Sequence, residues 1–253
     1  MSRVLAVANQ KGGVGKTTTV VSLGAFLAAA EKRVLVVDVD PQANATSSLG
    51  IDKHAVPASI YDVIVSGMPM DSALMLTRRV GLDLIPSTPA LAGAEIELVA
   101  MPAREHRLKE ALALVRDRYD YVLVDCPPSL GLLTLNALTA ADEVIIPVQC
   151  EYLPMEGLAE LMHTLELVQL HLNPVLGVRG LLMTMYDART SLAQQVVDQV
   201  REHFPETTFQ TIVPRSVRLS EAPSYGEPIL DYAPRSPGGL AYEALAREIL
   251  SSV

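Results

Sequence analysis

The chain has 253 residues, 49% of them hydrophobic and 19% charged, and carries a formal net charge of -9. These proportions supply a large core and exclude whole-chain disorder, while the acidity argues against a generally basic, histone-like nucleic-acid binder and leaves a local basic patch open. Aromatic residues make up 4% with no Trp, so a stacking platform for single-stranded nucleic acid is not expected.

Short β-branched runs alternate with longer helical patterns along the chain. That alternation predicts an α/β fold, a mostly parallel twisted sheet with helices on both faces. Strands are expected at 3–9, 33–38, 82–86, Tyr121–Asp125, 143–148, 180–185 and 209–213. Continuous apolar runs such as Tyr121-Val122-Leu123-Val124 fit strands covered on both faces. A helix is expected over 15–30. Three further helices follow from apolar stripes of helical period: Leu108, Ala111, Leu112 and Val115 at i, i+3, i+4 and i+7; Leu158, Leu161, Met162, Leu165 and Val168; Leu192, Val196, Val197, Val200 and Phe204. These stripes read as core. Residues 213–236, rich in Pro and polar side chains, read as a long ordered loop before a final helix at 239–251.

With no repeat, low-complexity tract or Gly/Ser linker, 1–253 reads as a single domain. Cys126 and Cys150 cannot build a disulfide framework or a four-cysteine zinc site, and read as buried, reduced thiols. The five histidines, at 54, 106, 163, 171 and 203, form no metal-ligand spacing. A signal-peptide core and a bilayer-length apolar run are both missing from the sequence, so a soluble intracellular protein is expected.

The strongest signal is Asn9-Gln10-Lys11-Gly12-Gly13-Val14-Gly15-Lys16-Thr17-Thr18, set between an expected strand and an expected helix. Glycines let backbone N–H groups turn inward around phosphate, and the helix N-terminus adds its dipole. Lys16 supplies a point charge to the β- and γ-phosphates, and the Thr17 hydroxyl ligates Mg²⁺. The first Gly of the common G-x-x-x-x-G-K-[ST] pattern would fall at position 10, where this chain has Gln10. Acidic strand ends follow: Asp38 and Asp40 before Pro41, and Asp125 before Pro127-Pro128. In a parallel sheet these carboxylates converge on the phosphate loop. Asp125 suits holding Mg²⁺ through water with Asp38 behind it, and Asp40 suits orienting the attacking water.

Lys11-Gly-Gly-Val-Gly-Lys16-Thr-Thr resembles the deviant Walker A motif of the ParA/MinD group of P-loop NTPases, with its additional signature lysine. Asp38-Val-Asp40-Pro-Gln-Ala-Asn44-Ala-Thr resembles that group's second motif, and Val124-Asp125-Cys-Pro-Pro-Ser-Leu-Gly131 its Walker B. Val148-Gln-Cys-Glu-Tyr, Leu182-Met-Thr-Met-Tyr-Asp-Ala-Arg189-Thr and Val213-Pro-Arg-Ser-Val-Arg218-Leu-Ser-Glu-Ala-Pro resemble the ParA/Soj branch. The likeness spans essentially the whole chain.

The resemblance implies a Mg²⁺-dependent ATPase that forms a homodimer around two ATP molecules, with Lys11 of each subunit reaching the phosphates of the other. Lys11, Lys16 and Asp40 are then the catalytic candidates. The nucleotide lies on Lys11, Gly12, Gly13, Val14, Gly15, Lys16, Thr17 and Thr18, and Met185, Pro214 and Arg215 flank its adenine. The ATP dimer is expected to bind double-stranded DNA without sequence preference. A ParB-type partner stimulates hydrolysis, for chromosome or plasmid segregation in a nucleoid-associated, cytoplasmic setting. Arg189, Arg218 and Arg215 are the DNA candidates, followed by Arg201 and Arg179. The chain departs from the family at Ser216, where Asn is usual, and at Ala43, where Gly is common.

Relatives of the same fold give the alternatives: a MinD-like membrane-positioning ATPase, or a regulator of replication initiation. The final helix is acidic overall and lacks the basic face that anionic lipid requires, so membrane binding is not expected. Two cysteines match the count of an iron-protein cluster relative, but the surrounding motifs do not. Thr184-Met-Tyr-Asp187 lacks the lysine of a guanine-reading loop, which favours adenine. The sequence starts at the first expected strand, and an operator-reading domain is not expected.

Overall fold

The computed structural model describes residues 2–151 and 154–251. Eight strands form one sheet: β1 (Arg3–Val7), β2 (Val34–Asp38), β3 (Met75–Leu76), β4 (Leu82–Ile85), β5 (Tyr121–Asp125), β6 (Glu143–Gln149), β7 (Gly177–Tyr186) and β8 (Thr208–Pro214). Their order is β3-β4-β2-β5-β1-β6-β7-β8, and every pairing is parallel except that of β3 with β4. The helices are α1 (Lys16–Ala29), α2 (Asn44–Ser48), α3 (Ile60–Ile64), α4 (Leu91–Glu97), α5 (Arg107–Ala113) and α6 (Leu132–Ala140). They continue with α7 (Pro154–His171), α8 (Ser191–His203), α9 (Val217–Glu221), α10 (Ile229–Tyr232) and α11 (Pro237–Ser251).

The strand alternation divides the core in two. Val4 and Ala6 of β1 join Leu35, Val37, Val122 and Val124 on the face covered by α3 to α8. Leu5 and Val7 join Val34, Val36 and Leu123 on the face covered by α1 and α11. Each central strand is thus apolar on both sides, which is why β5 reads as an unbroken hydrophobic run.

Register places the chemistry. Val7, the last residue of β1, pairs with Asp125, and Asp125 pairs on its other side with Asp38. Two carboxylates therefore stand side by side at the strand ends where the loop after β1 begins. The strand order reverses at β1, and ligand clefts of open parallel sheets form at such a reversal.

The final helix closes the sheet. Tyr242 of α11 is buried with its hydroxyl 3.1 Å from that of Thr19 on α1. Glu248 accepts the backbone N–H groups of Gln210 and Thr211 at 2.7 and 3.1 Å, covering part of the outer edge of β8.

Several expectations need correction. Residues 213–236 are not a loop: they fold into α9, a 3₁₀ turn at Ala222–Tyr225 and α10. Two of their prolines sit at helix starts, Pro223 in the first turn of the 3₁₀ segment and Pro228 at the N-cap of α10, where a fixed φ is tolerated. Leu192 is 40% exposed rather than core, because the buried stripe of α8 runs through Ala193, Val196, Val197 and Val200. Val115 is buried but lies past the end of α5. The edge strand β3 is two residues long, too short to leave a periodic signal. Tyr152, within the motif starting at Val148, lies outside the described residues.

Candidate active site

The loop from β1 to α1 is tied down on both flanks. Asn9 donates from Nδ2 to the Pro147 carbonyl at 2.7 Å and accepts the Lys11 N–H at 2.9 Å. Thr184 of β7 donates its hydroxyl to the Val14 carbonyl at 2.9 Å. Gly13 and Gly15 take φ of 75° and 93°, left-handed angles at which a side chain would be strained. Gly15 is the N-cap of α1 and brings no side-chain cap, so first-turn N–H groups remain for an anion.

Lys16 is buried, and its ammonium donates to the Lys11 carbonyl at 3.1 Å. Burial lowers its pKa, opposed by the nearby Asp125, Cys126 and Asp40. Thr17 donates its hydroxyl to Asp125 Oδ2 at 2.7 Å. Asp125 is fully buried, and its Oδ1 has no hydrogen-bond partner among the described residues. Burial, reinforced by the Asp38 carboxylate alongside, pushes the Asp125 carboxyl well above the usual carboxylate range. Asp38 is also fully buried; it accepts the N–H and hydroxyl of Thr46 on Oδ2 at 2.8 and 2.7 Å. Burial raises it to about 6 despite those bonds. An orphaned carboxylate oxygen beside a Thr hydroxyl is an all-oxygen donor set, and it fits a hard divalent cation such as Mg²⁺.

A cavity of about 260 Å³ opens over these groups, lined by Gly12, Gly13, Gly15, Lys16, Thr17 and Thr18. Asp40, Gln42, Asn44, Pro128 and Met185 form its other walls. Asp40 is 6% exposed, with Oδ1 accepting the Gln42 N–H at 2.9 Å. A second cavity of about 200 Å³ shares Gly15, Thr18 and Met185 with the first and adds Thr184, Arg215 and Tyr242. Together they make one cleft with a charged end and a more apolar end. Met185 stands at the junction with φ of 52°, a left-handed strain of about 1–2 kcal/mol for a residue other than Gly. A larger cavity of about 440 Å³, lined by Arg78, Arg79 and Asp231, lies away from these strand ends.

The structure brings most of the expected nucleotide residues into this cleft. Val14 is buried and contributes its carbonyl to the Thr184 anchor rather than a wall. Lys11 is exposed at the loop, and its ammonium has no hydrogen bond or ion pair among the described residues. Pro214 is set apart: it ends β8, paired with Tyr186, and lines neither cavity. Asn9, Thr184 and Tyr242 are not singled out by their sequence context. Asn9, at the mouth of the loop directly after a strand, carried the one signal that could have found it. Cys126 and Cys150 are buried, and burial pushes both thiols up, that of Cys150 to about 12.

The arginines on the outer surface are paired locally. Arg189 spans both Asp187 oxygens at 2.9 and 2.6 Å with 86% of its side chain exposed. Arg218 meets Glu221 at 2.8 Å, and Glu221 also accepts the Tyr232 hydroxyl. Arg215 is exposed beside the second cavity. Arg201 donates to the Gln210 carbonyl at 3.2 Å. Arg179 turns inward: its side chain is 12% exposed and donates to the Ile249 carbonyl at 3.1 Å, which removes it as an outer phosphate contact.

Comparison with known proteins follows the same lines. The family described as "AAA domain" matches residues 2–178. The sporulation initiation inhibitor protein Soj of Bacillus subtilis is 55% identical over 252 residues, covering 100% of both chains. The chromosome partitioning protein ParA of Myxococcus xanthus is 51% identical, covering 99% of this chain and 88% of the relative. Among solved structures, a Mycobacterium smegmatis protein described as cobyrinic acid a,c-diamide synthase, with bound ADP and magnesium, aligns with a TM-score of 0.87. It is 42% identical and covers 99% of this chain and 94% of the other. The septum site-determining protein MinD of Pyrococcus horikoshii, complexed with Mg-ADP, shares the fold with a TM-score of 0.79 at 24% identity, over 98% of this chain and 96% of the other.

Proposed function

The chain belongs to the ParA/Soj family of chromosome-partitioning ATPases, and from that footing we propose that it is an ATP-driven dimer switch on duplex DNA. In this proposal the single switch domain spans 1–253, acts in the cytoplasm on the nucleoid, and is stimulated by a ParB-type DNA-binding partner.

Lys16 and the N–H groups of the loop and first turn of α1 hold the β- and γ-phosphates. The more apolar end of the cleft, at Met185, Arg215 and Tyr242, takes the adenine. Thr17 would hold Mg²⁺ as a ligand and Asp125 would hold it through water, with Asp38 behind it, and the ion would supply positive charge to offset that developing on the phosphates. Asp40 accepts a hydrogen bond from the attacking water and directs it at the γ-phosphate.

The unpaired Lys11 ammonium carries this proposal. It is exposed at the rim of the cleft, with no partner among the described residues of its own subunit, so it is free to reach the phosphates held by a second copy. A cation arriving there stabilises the transferring phosphoryl group, and hydrolysis becomes conditional on dimerisation. Pairing two subunits also doubles the Arg189, Arg215 and Arg218 surface on one duplex, which turns weak contacts into a linked footprint.

A membrane reading is disfavoured by α11, which buries Tyr242, Leu245, Ala246 and Ile249 against the body of the protein. Among the described residues, no helix is long and apolar enough to cross a membrane. The test is binding of the ATP, ADP and nucleotide-free forms to arbitrary duplex DNA and to anionic liposomes. ATP-dependent DNA binding that fades with salt is expected. Liposome binding without DNA binding would overturn the proposal.

A further inference from the structure

Beneath Asp40 lies a closed set of hydrogen bonds made by side chains that have no part in the cleft itself. Ser87, two residues past β4, donates its hydroxyl to the Asp40 carbonyl at 2.7 Å. The Asp40 N–H donates to Asp38 Oδ1 at 3.2 Å. Thr46 of α2 joins these two grips: its hydroxyl donates to Asp38 Oδ2 at 2.7 Å and accepts the Ser87 N–H at 2.9 Å. Thr46 and Ser87 are each 0% exposed. Removing the Thr46 hydroxyl would leave the buried Ser87 N–H without its partner, and removing that of Ser87 would leave the Asp40 carbonyl held by the Ala43 N–H alone.

We propose that Thr46 and Ser87 are positioning residues for ATP hydrolysis, fixing the backbone of Asp40 on both sides so that its carboxylate stays aimed at the γ-phosphate. This role rests on Asp40 as the water-orienting group. The Asp40 side chain is itself held lightly, through the bond from the Gln42 N–H, so its direction is set by the backbone beneath it. That backbone enters a tight turn in which Ala43 donates to the Asp40 carbonyl at 2.8 Å and takes φ of 53°. A valine at 46 or an alanine at 87 would fill nearly the same space. Neither would supply the directional bonds that join α2 and the ends of β2 and β4 into one support. The support matters because a displacement of about 1 Å at a reacting group can cost on the order of 100-fold in rate.

The experiment is steady-state ATP hydrolysis by the full chain with Mg²⁺, run with parallel measurement of ADP binding through a fluorescent analogue. Ser87→Ala and Thr46→Val should each lower kcat by about tenfold or more while the KM for ATP stays within about twofold, and Thr46→Ser should recover kcat to within about threefold. Loss of ADP affinity in step with kcat would mean a collapsed cleft and would overturn the positioning role. So would parental kcat in Ser87→Ala, which decides alone should Thr46→Val not fold. Asp40→Ala, measured alongside, separates the two levels. An inactive Asp40→Ala with parental Ser87→Ala and Thr46→Val overturns only the positioning role, whereas a parental Asp40→Ala removes Asp40 from water orientation and the positioning role with it.

Discussion

At the scale of single residues, the site is a balance of buried charge. Among the described residues Lys16 is the one buried cation, set beside Asp125 and Asp40, and it stands where the phosphates would enter. Lys16→Ala should abolish ATP binding in a direct titration, and unchanged affinity would contradict the phosphate-loop assignment. Asp40→Ala should accumulate an ATP-bound, DNA-associated dimer in co-sedimentation, with turnover lost. The buried acids also make stability depend on pH. Burial raises Asp38 from an ordinary 3.8 to about 6, so the folded chain holds that proton more tightly than the unfolded chain. Its contribution is fully present below 3.8 and is lost as pH rises through about 6. In thermal unfolding of the nucleotide-free protein, Asp38→Asn should therefore gain on the parent as pH rises across that window. A constant difference between the two would assign the pH dependence elsewhere.

At the scale of elements, α11 depends on a close backbone approach. A Cβ on Gly239 would meet the Pro234 and Ala233 carbonyl oxygens at 2.4 and 2.8 Å, and those are backbone atoms that cannot swing aside. Gly239→Ala should destabilise by roughly 1–3 kcal/mol in denaturant unfolding, and weaken nucleotide binding as well, because Tyr242 on the same helix lines the base end of the cleft. Full stability in that variant would mean that the start of α11 shifts freely. The region just before this helix marks the limit of what sequence discloses. β5 is legible residue for residue, because a strand buried on both faces must be continuously apolar and its terminal Asp breaks the run. The phosphate loop is legible because its function demands an unusual density of Gly, Lys and Thr. α9 and α10 are five and four residues long, below the length at which periodicity separates helix from loop. Thr46 and Ser87 are silent for another reason: their partnership exists only once β2, β4 and α2 are packed together. Arg179 reads as a surface cation until the fold turns it inward onto α11.

At the scale of the whole molecule, the proposed DNA binding requires a chain of net charge -9 to approach a polyanion. Two of its exposed candidate arginines, Arg189 and Arg218, are each occupied by a carboxylate on the same short segment. Exposed pairs of this kind are worth about 1 kcal/mol or less, so phosphate can displace the acid once two subunits present their arginines together. Arg218→Ala should weaken DNA binding, lower the salt dependence by about one released counterion for each arginine removed, and leave ATP-dependent dimerisation intact. Undiminished affinity in a folded Arg218→Ala protein would place the DNA on other residues. The seal that α11 places on the sheet bears on a different moment in the protein's life. During synthesis, α1 and the phosphate loop are made long before α11, and β8 also precedes it. Until α11 docks, Thr19 lacks its tyrosine partner and the Gln210 and Thr211 amides at the margin of the sheet are bare. A nascent chain thus passes through a stage with an open strand margin able to pair with another polypeptide. The apolar end of the cleft gains its Tyr242 wall only when α11 settles across the two segments, α1 and β8, made before it.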